Sequence, residues 1–255
     1  NMGKGKINKK KLGSKDRLLL SKTHRTIQAV TRQMDAFEFN FALQGISHLF
    51  NAVQKAEKPD RDVLGSACRA MVQLLAPFAP HLCEELWEKL GQKRMVSLSK
   101  WPVADKKLID RKAEQAEEFL EKIKEDVRHI LEIAGIEKPK RIVFFTAPTW
   151  KWRAVPIAIA ACKQKPDVGA VIKALMQDNE MRKHSGEVQG FAKALTARVM
   201  ELREAEKIDE VAVLNEAKPG LEREFSAKIE IERAQKSKHP KARNAMPLKP
   251  AIFVE

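Results

Sequence analysis

The sequence predicts a mostly α-helical protein, a helical bundle followed by a small α+β domain. Three observations predict it. Residues 14–91 carry apolar side chains at 3.6-residue spacing in four successive stretches with short connections. The period changes at Arg141-Ile142-Val143-Phe144-Phe145-Thr146, a short β-favouring run. Lys228-Ile229-Glu230-Ile231-Glu232 then alternates with period two, and Ala251-Ile252-Phe253-Val254 reads as a last short strand. The 255 residues therefore divide into a flexible basic arm (1–13), a bundle (14–113) and an α+β domain (114–255).

In the first helix Ser14 can serve as the cap. Leu20, Ile27, Val30, Met34 and Phe37 fall on one face, and Lys15, Lys22, Arg25 and Arg32 project roughly opposite. A helix so divided packs one stripe on a core and shows cations outward. The second helix carries Phe39, Leu43, Ile46, Phe50 and Val53. The third starts near Asp60, carries Leu64, Ala67, Cys68, Met71 and Leu75, and must stop by Pro77, which lacks an N–H and clashes with the preceding turn. The fourth is expected to hold Glu84 and Glu85 in its first turn and Lys89 in its last, with Gly91 as its stop. Residues 92–113, with Trp101-Pro102, read as a connector. A fifth helix presents Phe119, Ile123, Val127, Ile130 and Ala134 and ends at Gly135 and Pro139. Helical patterns follow over 153–163, 167–177, 185–205 and 211–225. The last carries Val211, Leu214, Leu221 and Phe225 and is interrupted by Pro219-Gly220.

Charge is unevenly placed. Of 48 Lys+Arg and 34 Asp+Glu, residues 1–113 hold 22 and 11, residues 114–235 hold 21 and 22, and the last twenty hold 5 and 1. A positive balance at both ends points to a polyanion contacted at two places. A solvated basic helical protein without such a partner fits the same totals. No apolar run approaches the ~18–20 residues of a membrane helix. The N-terminal charges precede no apolar stretch of a secretory signal, so a cytoplasmic location is expected. Cys68, Cys83 and Cys162 are odd in number and widely spaced, which argues against a disulfide framework or zinc ribbon and for core thiols. The sequence contains no GxGxxG, GxxxxGK[ST] or GxSxG motif. His24, His48, His81, His129, His184 and His239 never pair at i, i+4. His81 near Cys83 and Glu84 reads as a helix start with a buried thiol two positions on. No catalytic and no metal-binding residue is assigned.

The stretch Leu74-Leu75-Ala76-Pro77-Phe78-Ala79-Pro80-His81-Leu82-Cys83-Glu84-Glu85-Leu86-Trp87 closely resembles the L-x-P-F-x-P-H-x-x-E-E-L-W pattern of class I aminoacyl-tRNA synthetases, in their helical anticodon-binding domain. Asp16-Arg17-Leu18-Leu19-Leu20-Ser21 and His24-Arg25-Thr26-Ile27 resemble that domain's opening helix. The pattern marks the leucyl, isoleucyl, valyl and methionyl group. Its role there is structural: two prolines set a helix–helix corner and Trp87 packs the bundle. Val143-Phe144-Phe145-Thr146-Ala147-Pro148 with Trp150-Lys151-Trp152, Glu222-Arg223-Glu224-Phe225, and the closing Lys249-Pro250-Ala251-Ile252-Phe253-Val254-Glu255 are similar to the C-terminal domain of archaeal and eukaryotic-type leucyl-tRNA synthetases. The resemblance spans about residues 14–255. It includes neither the Rossmann catalytic domain, with its H-x-G-H motif, nor the editing domain. Asn1-Met2-Gly3-Lys4-Gly5-Lys6-Ile7-Asn8 is similar to the K-M-S-K-S-K-G-N loop that grips ATP phosphates, but glycines replace both serines, and an unrelated basic arm is the favoured reading.

The resemblance implies the tRNA-recognition portion of a leucyl-tRNA synthetase. The bundle would lie along the tRNA backbone, with Lys15, Lys22, Arg25 and Arg32 meeting phosphates, which position RNA without reading sequence. The C-terminal domain would contact the long variable arm through Ile252, Phe253, Val254 and Glu255. Unstacked bases are read at their edges and by aromatic stacking, so Trp150 and Trp152 are further candidates, with core packing as the competing reading. The implied partner is tRNA, in particular the leucine tRNA, together with a separate catalytic chain if the enzyme is split. The chain itself is expected to hold no cofactor, whereas the full synthetase uses ATP and Mg2+. The rival readings are a free-standing RNA-binding factor, a docking subunit, and a valyl or isoleucyl fragment, the last disfavoured by the archaeal leucyl-type ending.

Overall fold

The computed structural model describes residue 7, residues 11–162 and residues 165–255. Most of the basic arm, and nearly all of the stretch similar to an ATP loop, lie outside the described residues. The chain forms two compact units, Asn1–Glu114 and Gln115–Glu255.

Unit 1 contains α1 (Ser14–Asp35), α2 (Phe39–Lys55), α3 (Arg61–Leu75) and α4 (Pro80–Lys89). Its interior is built in small pieces. Ile27 and Val30 of α1 meet Ala42 and Ile46 of α2 and Ala70 and Leu74 of α3. Leu19 and Leu20 meet Val63 and Ala67, while Val72, Cys83, Trp87 and Val96 close the far end. The Asp60 carboxylate accepts from the Asp62 and Val63 N–H groups, which satisfies two otherwise orphaned donors at the start of α3.

Three local expectations are corrected. Ser14 is the first helical residue rather than the cap, a place taken by Gly13 without a side-chain bond. Phe37 leaves the apolar face of α1. The helix ends in a Schellman arrangement, with Glu38 N–H on Gln33 C=O and Phe37 N–H on Met34 C=O, and Phe37 takes the left-handed position at φ 60°. Its ring is 79% exposed. Glu84 and Glu85 lie one turn into α4, because Pro80 already occupies its first position. There Glu84 accepts from Val96 and Ser97 N–H at 2.7 and 3.1 Å and caps the short turn beyond the helix.

A fifth helix, α5 (Arg111–Ala134), ends at Gly135 with φ 64°. Unit 2 takes up most of it and continues with β1 (Arg141–Thr146), α6 (Thr149–Ala161), α7 (Val168–Leu175), α8 (Asn179–Arg182), α9 (Ser185–Ala197), α10 (Val199–Glu204), α11 (Glu210–Phe225), β2 (Lys228–Arg233) and β3 (Ala251–Val254). The sheet order is β2-β1-β3, with β2 parallel and β3 antiparallel to the central strand. Ile142 and Phe144 face the main core with Phe119, Ile123 and Val127 of α5. Val143 and Phe145 face a second cluster with Ala242 and Ala245. A central strand covered on both faces explains its unbroken apolar run.

Two further expectations change here. The pattern over 185–205 is two helices, broken at Arg198 where φ is −110° and ψ is 7°. Conversely, Pro219 does not break α11. An interior proline costs about 3 kcal/mol. Here the core grips the helix on both sides of it, through Leu214 before and Leu221 and Phe225 after.

Candidate nucleic-acid interface

In unit 1 the cationic side of α1 is largely engaged by the protein itself. Lys15 Nζ meets Glu57 Oε2 at 3.0 Å. Arg25 forks onto Glu114, with Nε 3.1 Å from Oε1 and Nη2 3.0 Å from Oε2. Ser21 Oγ donates to the same carboxylate at 2.6 Å and accepts from Asp110 N–H at 2.7 Å. Lys22 is half-buried, and Arg32 is exposed. The connector that follows α4 lies against this side of α1. Trp101 Nε1 donates to Thr31 Oγ1 at 2.8 Å, and Asp105 N–H donates to His24 Nδ1 at 3.1 Å. Burial lowers the His24 pKa, opposed by nearby Asp105, which suits an imidazole that accepts. Two of the four cations of the basic stripe, Lys15 and Arg25, are thus joined to carboxylates at the surface.

In unit 2 the C-terminal residues form an ordered edge. Ile252 packs into the main core, and Phe253 turns to the opposite face of the sheet. There His239 stacks on Phe145 at 5.3 Å, lies 4.6 Å from Phe253, and Lys241 Nζ sits 5.4 Å from the Phe253 ring centre. Val254 pairs with Ile142. Glu255 C=O accepts from Lys140 and Arg141 N–H, and its Oε2 takes Arg141 Nε and Nη2 at 3.0 and 2.6 Å.

The basic segment before β3 is pinned by a buried cation. Lys151, 3% exposed, donates from Nζ to Arg243 C=O at 2.6 Å and Ala245 C=O at 2.9 Å. It also lies 5.5 and 5.4 Å from the Trp150 and Phe191 ring centres. Burial pushes its pKa down, with Glu187 opposing. Residues 245–248 and Pro250 are buried, while Lys236, Lys238, Lys241, Arg243 and Lys249 point outward. Among the described residues none of these five is in an ion pair. The sequence carried a signal for them in its C-terminal surplus of cations, but not the fact that their backbone is held still.

The tryptophans divide. Trp150 is 6% exposed, stacked on His184 at 4.5 Å and edge-on to Phe191, so it belongs to the core. Trp152 is partly buried, with Lys207 Nζ 6.0 Å from its ring centre. Cys83 and Cys162 are buried and Cys68 half-buried, and burial raises the Cys68 and Cys83 thiol pKa values. Among the described residues no group of His, Cys, Asp and Glu could hold a metal ion. No described helix is long and apolar enough to cross a membrane.

Comparison with known proteins shows the family. A family model described as the anticodon-binding domain of tRNA ligase matches residues 16–144, half of the chain. The leucine–tRNA ligase of Pyrococcus abyssi is 36% identical over 250 residues, which is 94% of this chain and 25% of that protein. The leucine–tRNA ligase of Methanothrix thermoacetophila is 33% identical over 247 residues, again 94% of this chain and 26% of that protein. A solved ternary complex, Agrobacterium radiobacter K84 agnB2 LeuRS with tRNA and LeuAMS, is 33% identical at a TM-score of 0.39. It covers 41% of this chain and 14% of that one, an overlap too partial to bear on the fold. The chain spans about a quarter of the length of the curated relatives it matches. It belongs to the family of the anticodon-binding domain of tRNA ligase.

Proposed function

We propose that this chain is the tRNA-recognition portion of a leucine–tRNA ligase of archaeal type, with the leucine tRNA as its RNA. Unit 2 contacts the long variable arm. One observation carries this reading: five outward cations without ion pairs sit on a pinned backbone that leads directly into the C-terminal strand. Phosphate contacts hold an RNA in register. A strand edge and the Phe253–His239 pair beside them offer main-chain groups and ring faces to unstacked bases. Unit 1 contributes a weaker backbone contact through Lys22, Arg32 and whichever of Lys15 and Arg25 exchanges its carboxylate partner for phosphate. Leucine activation with ATP and Mg2+ is assigned to sequence outside this chain, in the same polypeptide or in a separate catalytic chain, and the site of action is the cytoplasm.

The test is binding of the purified chain to a leucine tRNA and to a short-armed tRNA across a salt series. Tighter binding of the long-armed RNA, with a steep salt dependence, supports the reading. Equal affinity for both refutes it. A docking role for a protein partner draws on a different observation, the exposed rings of Phe37, Phe39 and Phe41 at the α1–α2 corner.

A further inference from the structure

The turn leading into β3 is Met246-Pro247-Leu248-Lys249. Its outer residues exchange two main-chain hydrogen bonds, Met246 N–H to Lys249 C=O and Lys249 N–H to Met246 C=O, each 2.9 Å. Pro247 holds the second position and Leu248 the third, at φ 56°. This is the type II arrangement, whose third position is ordinarily glycine because a Cβ is strained there. The peptide between Pro247 and Leu248, whose orientation separates type II from type I, is gripped at both ends by charge. Arg198 Nη1 donates to Pro247 C=O at 3.0 Å. Glu210 Oε1 accepts from Leu248 N–H at 2.7 Å. The other carboxylate oxygen of Glu210 accepts from Ala147 N–H at 3.2 Å, just past the end of β1. Glu210 is 4% exposed.

We infer that Glu210, opposed across the turn peptide by Arg198, is the positioning residue of the C-terminal strand, locking a strained turn so that residues 252–255 are presented at one fixed place beside β1. Flipping the peptide would relieve Leu248. It would also aim the N–H away from the carboxylate and the carbonyl away from the guanidinium, leaving a buried carboxylate short of a donor. Lys151 holds Arg243 and Ala245 just upstream, so the freedom to flip is confined to the turn. The one side chain also ties the turn to the end of β1, and so couples the position of β3 to the strand it pairs with. This inference rests on the reading of the strand as an RNA contact.

The experiment uses the whole chain with Glu210→Gln, which replaces one acceptor oxygen by an NH2 facing an N–H donor. Amides 251–254 are expected to lose hydrogen-exchange protection by about tenfold or more, the effect of roughly one hydrogen bond on local stability. Preference for the long-armed over the short-armed tRNA falls by about tenfold, within the worth of one base contact. Leu175→Ala, a core truncation in α7, supplies a melting shift without touching the clamp and is expected to leave both readouts in place. In the unaltered chain the Leu248 and Ala147 amide proton resonances shift together as Glu210 takes up a proton, with Arg198 and Asp209 the charged groups facing it. In the Glu210→Gln chain that joint shift disappears. Unchanged exchange at 251–254 in the variant overturns the inference. A wild-type chain that does not distinguish the two RNAs overturns the RNA reading alone, and the exchange data still decide whether Glu210 holds the strand.

Discussion

Arg141 and Glu255 are joined through both side chain and main chain. The guanidinium donates twice to Glu255 Oε2, Arg141 N–H donates to Glu255 C=O at 3.2 Å, and Glu255 N–H returns a bond to Arg141 C=O at 2.9 Å. The last residue of the chain is therefore stitched to the first residue of the central strand. One carboxylate oxygen is committed to Arg141, and the strand arrives at the edge already ordered.

Deleting Val254 and Glu255 consequently costs stability. Loss of the Glu255 main-chain bonds, the Arg141 ion pair and the Val254–Ile142 pairing lowers unfolding free energy by about 2–4 kcal/mol, at roughly 0.5–1.5 kcal/mol per net hydrogen bond. Urea unfolding of the truncated and intact chains measures it. A shift below about 0.5 kcal/mol, the size of an ordinary surface change, contradicts this account.

RNA affinity depends on the two basic regions unequally. Replacing Lys236, Lys238, Lys241 and Arg243 by Gln flattens the log–log salt dependence by about 0.7–0.9 for each phosphate contact removed. The triple change at Lys15, Lys22 and Arg25 flattens it less, because Lys15 and Arg25 are paired with Glu57 and Glu114. Equal flattening by the two sets would place both on phosphate alike.

Glu114 organises one side of α1, taking Ser21 Oγ and the fork of Arg25. Glu114→Ala removes an acceptor from a part-buried hydroxyl and frees the arginine, and lowers stability by about 1–2 kcal/mol. Arg25→Ala costs less, since an exposed ion pair is worth about 0–1 kcal/mol. The ordering of the two variants by thermal melt is the check, and the reverse order would contradict it.

Glu210 makes folding pH-dependent with a definite sign. Burial raises its pKa from 4.5 to about 7 against the opposing N–H bonds of Leu248 and Ala147, with Asp209 adding to the rise and Arg198 opposing it. Between those values the folded chain keeps a proton that the unfolded chain has released. The contribution is therefore complete below about 4.5 and declines as pH rises to about 7, by roughly 3 kcal/mol in all. Unfolding free energies of the intact chain and Glu210→Gln, compared across that window, differ by this slope. Parallel curves exclude it.

Lys151 is the buried counterpart. Lys151→Met keeps the aliphatic stem and removes the donor to Arg243 and Ala245 C=O. The buried Ala245 carbonyl and the part-buried Arg243 carbonyl then lose their partner, at about 1–3 kcal/mol for the buried one before relaxation and less for the other. Unit 2 is expected to melt earlier while α1–α4 keep their helical signal, as followed by amide exchange. A variant as stable as the original would show that those carbonyls find other donors.

Local pattern determined most of the elements. Period-3.6 apolar residues placed α1 to α5. The proline-bounded run at Arg141–Thr146 and the alternation at Lys228–Arg233 placed two strands, and Leu74–Trp87 identified the family. These features are legible because each depends on neighbours within a few residues in sequence. What the tertiary structure decided depends on residues far apart in the chain. Pro219 sits within a helix because Leu214 and Leu221 are both held in the core. Phe37 faces out because the end of α1 needs a left-handed residue at that point. The candidate site follows the same division. A count of cations located the two basic regions, but only long-range pairing showed which charges are already spent: Arg25 meets Glu114 across 89 residues. Lys151 and Glu210 fix the C-terminal segment through partners 92 and 38 residues away. A charge count carries no information about such partners, because Coulomb energy and hydrogen bonding depend on distance in space and not on position in the sequence.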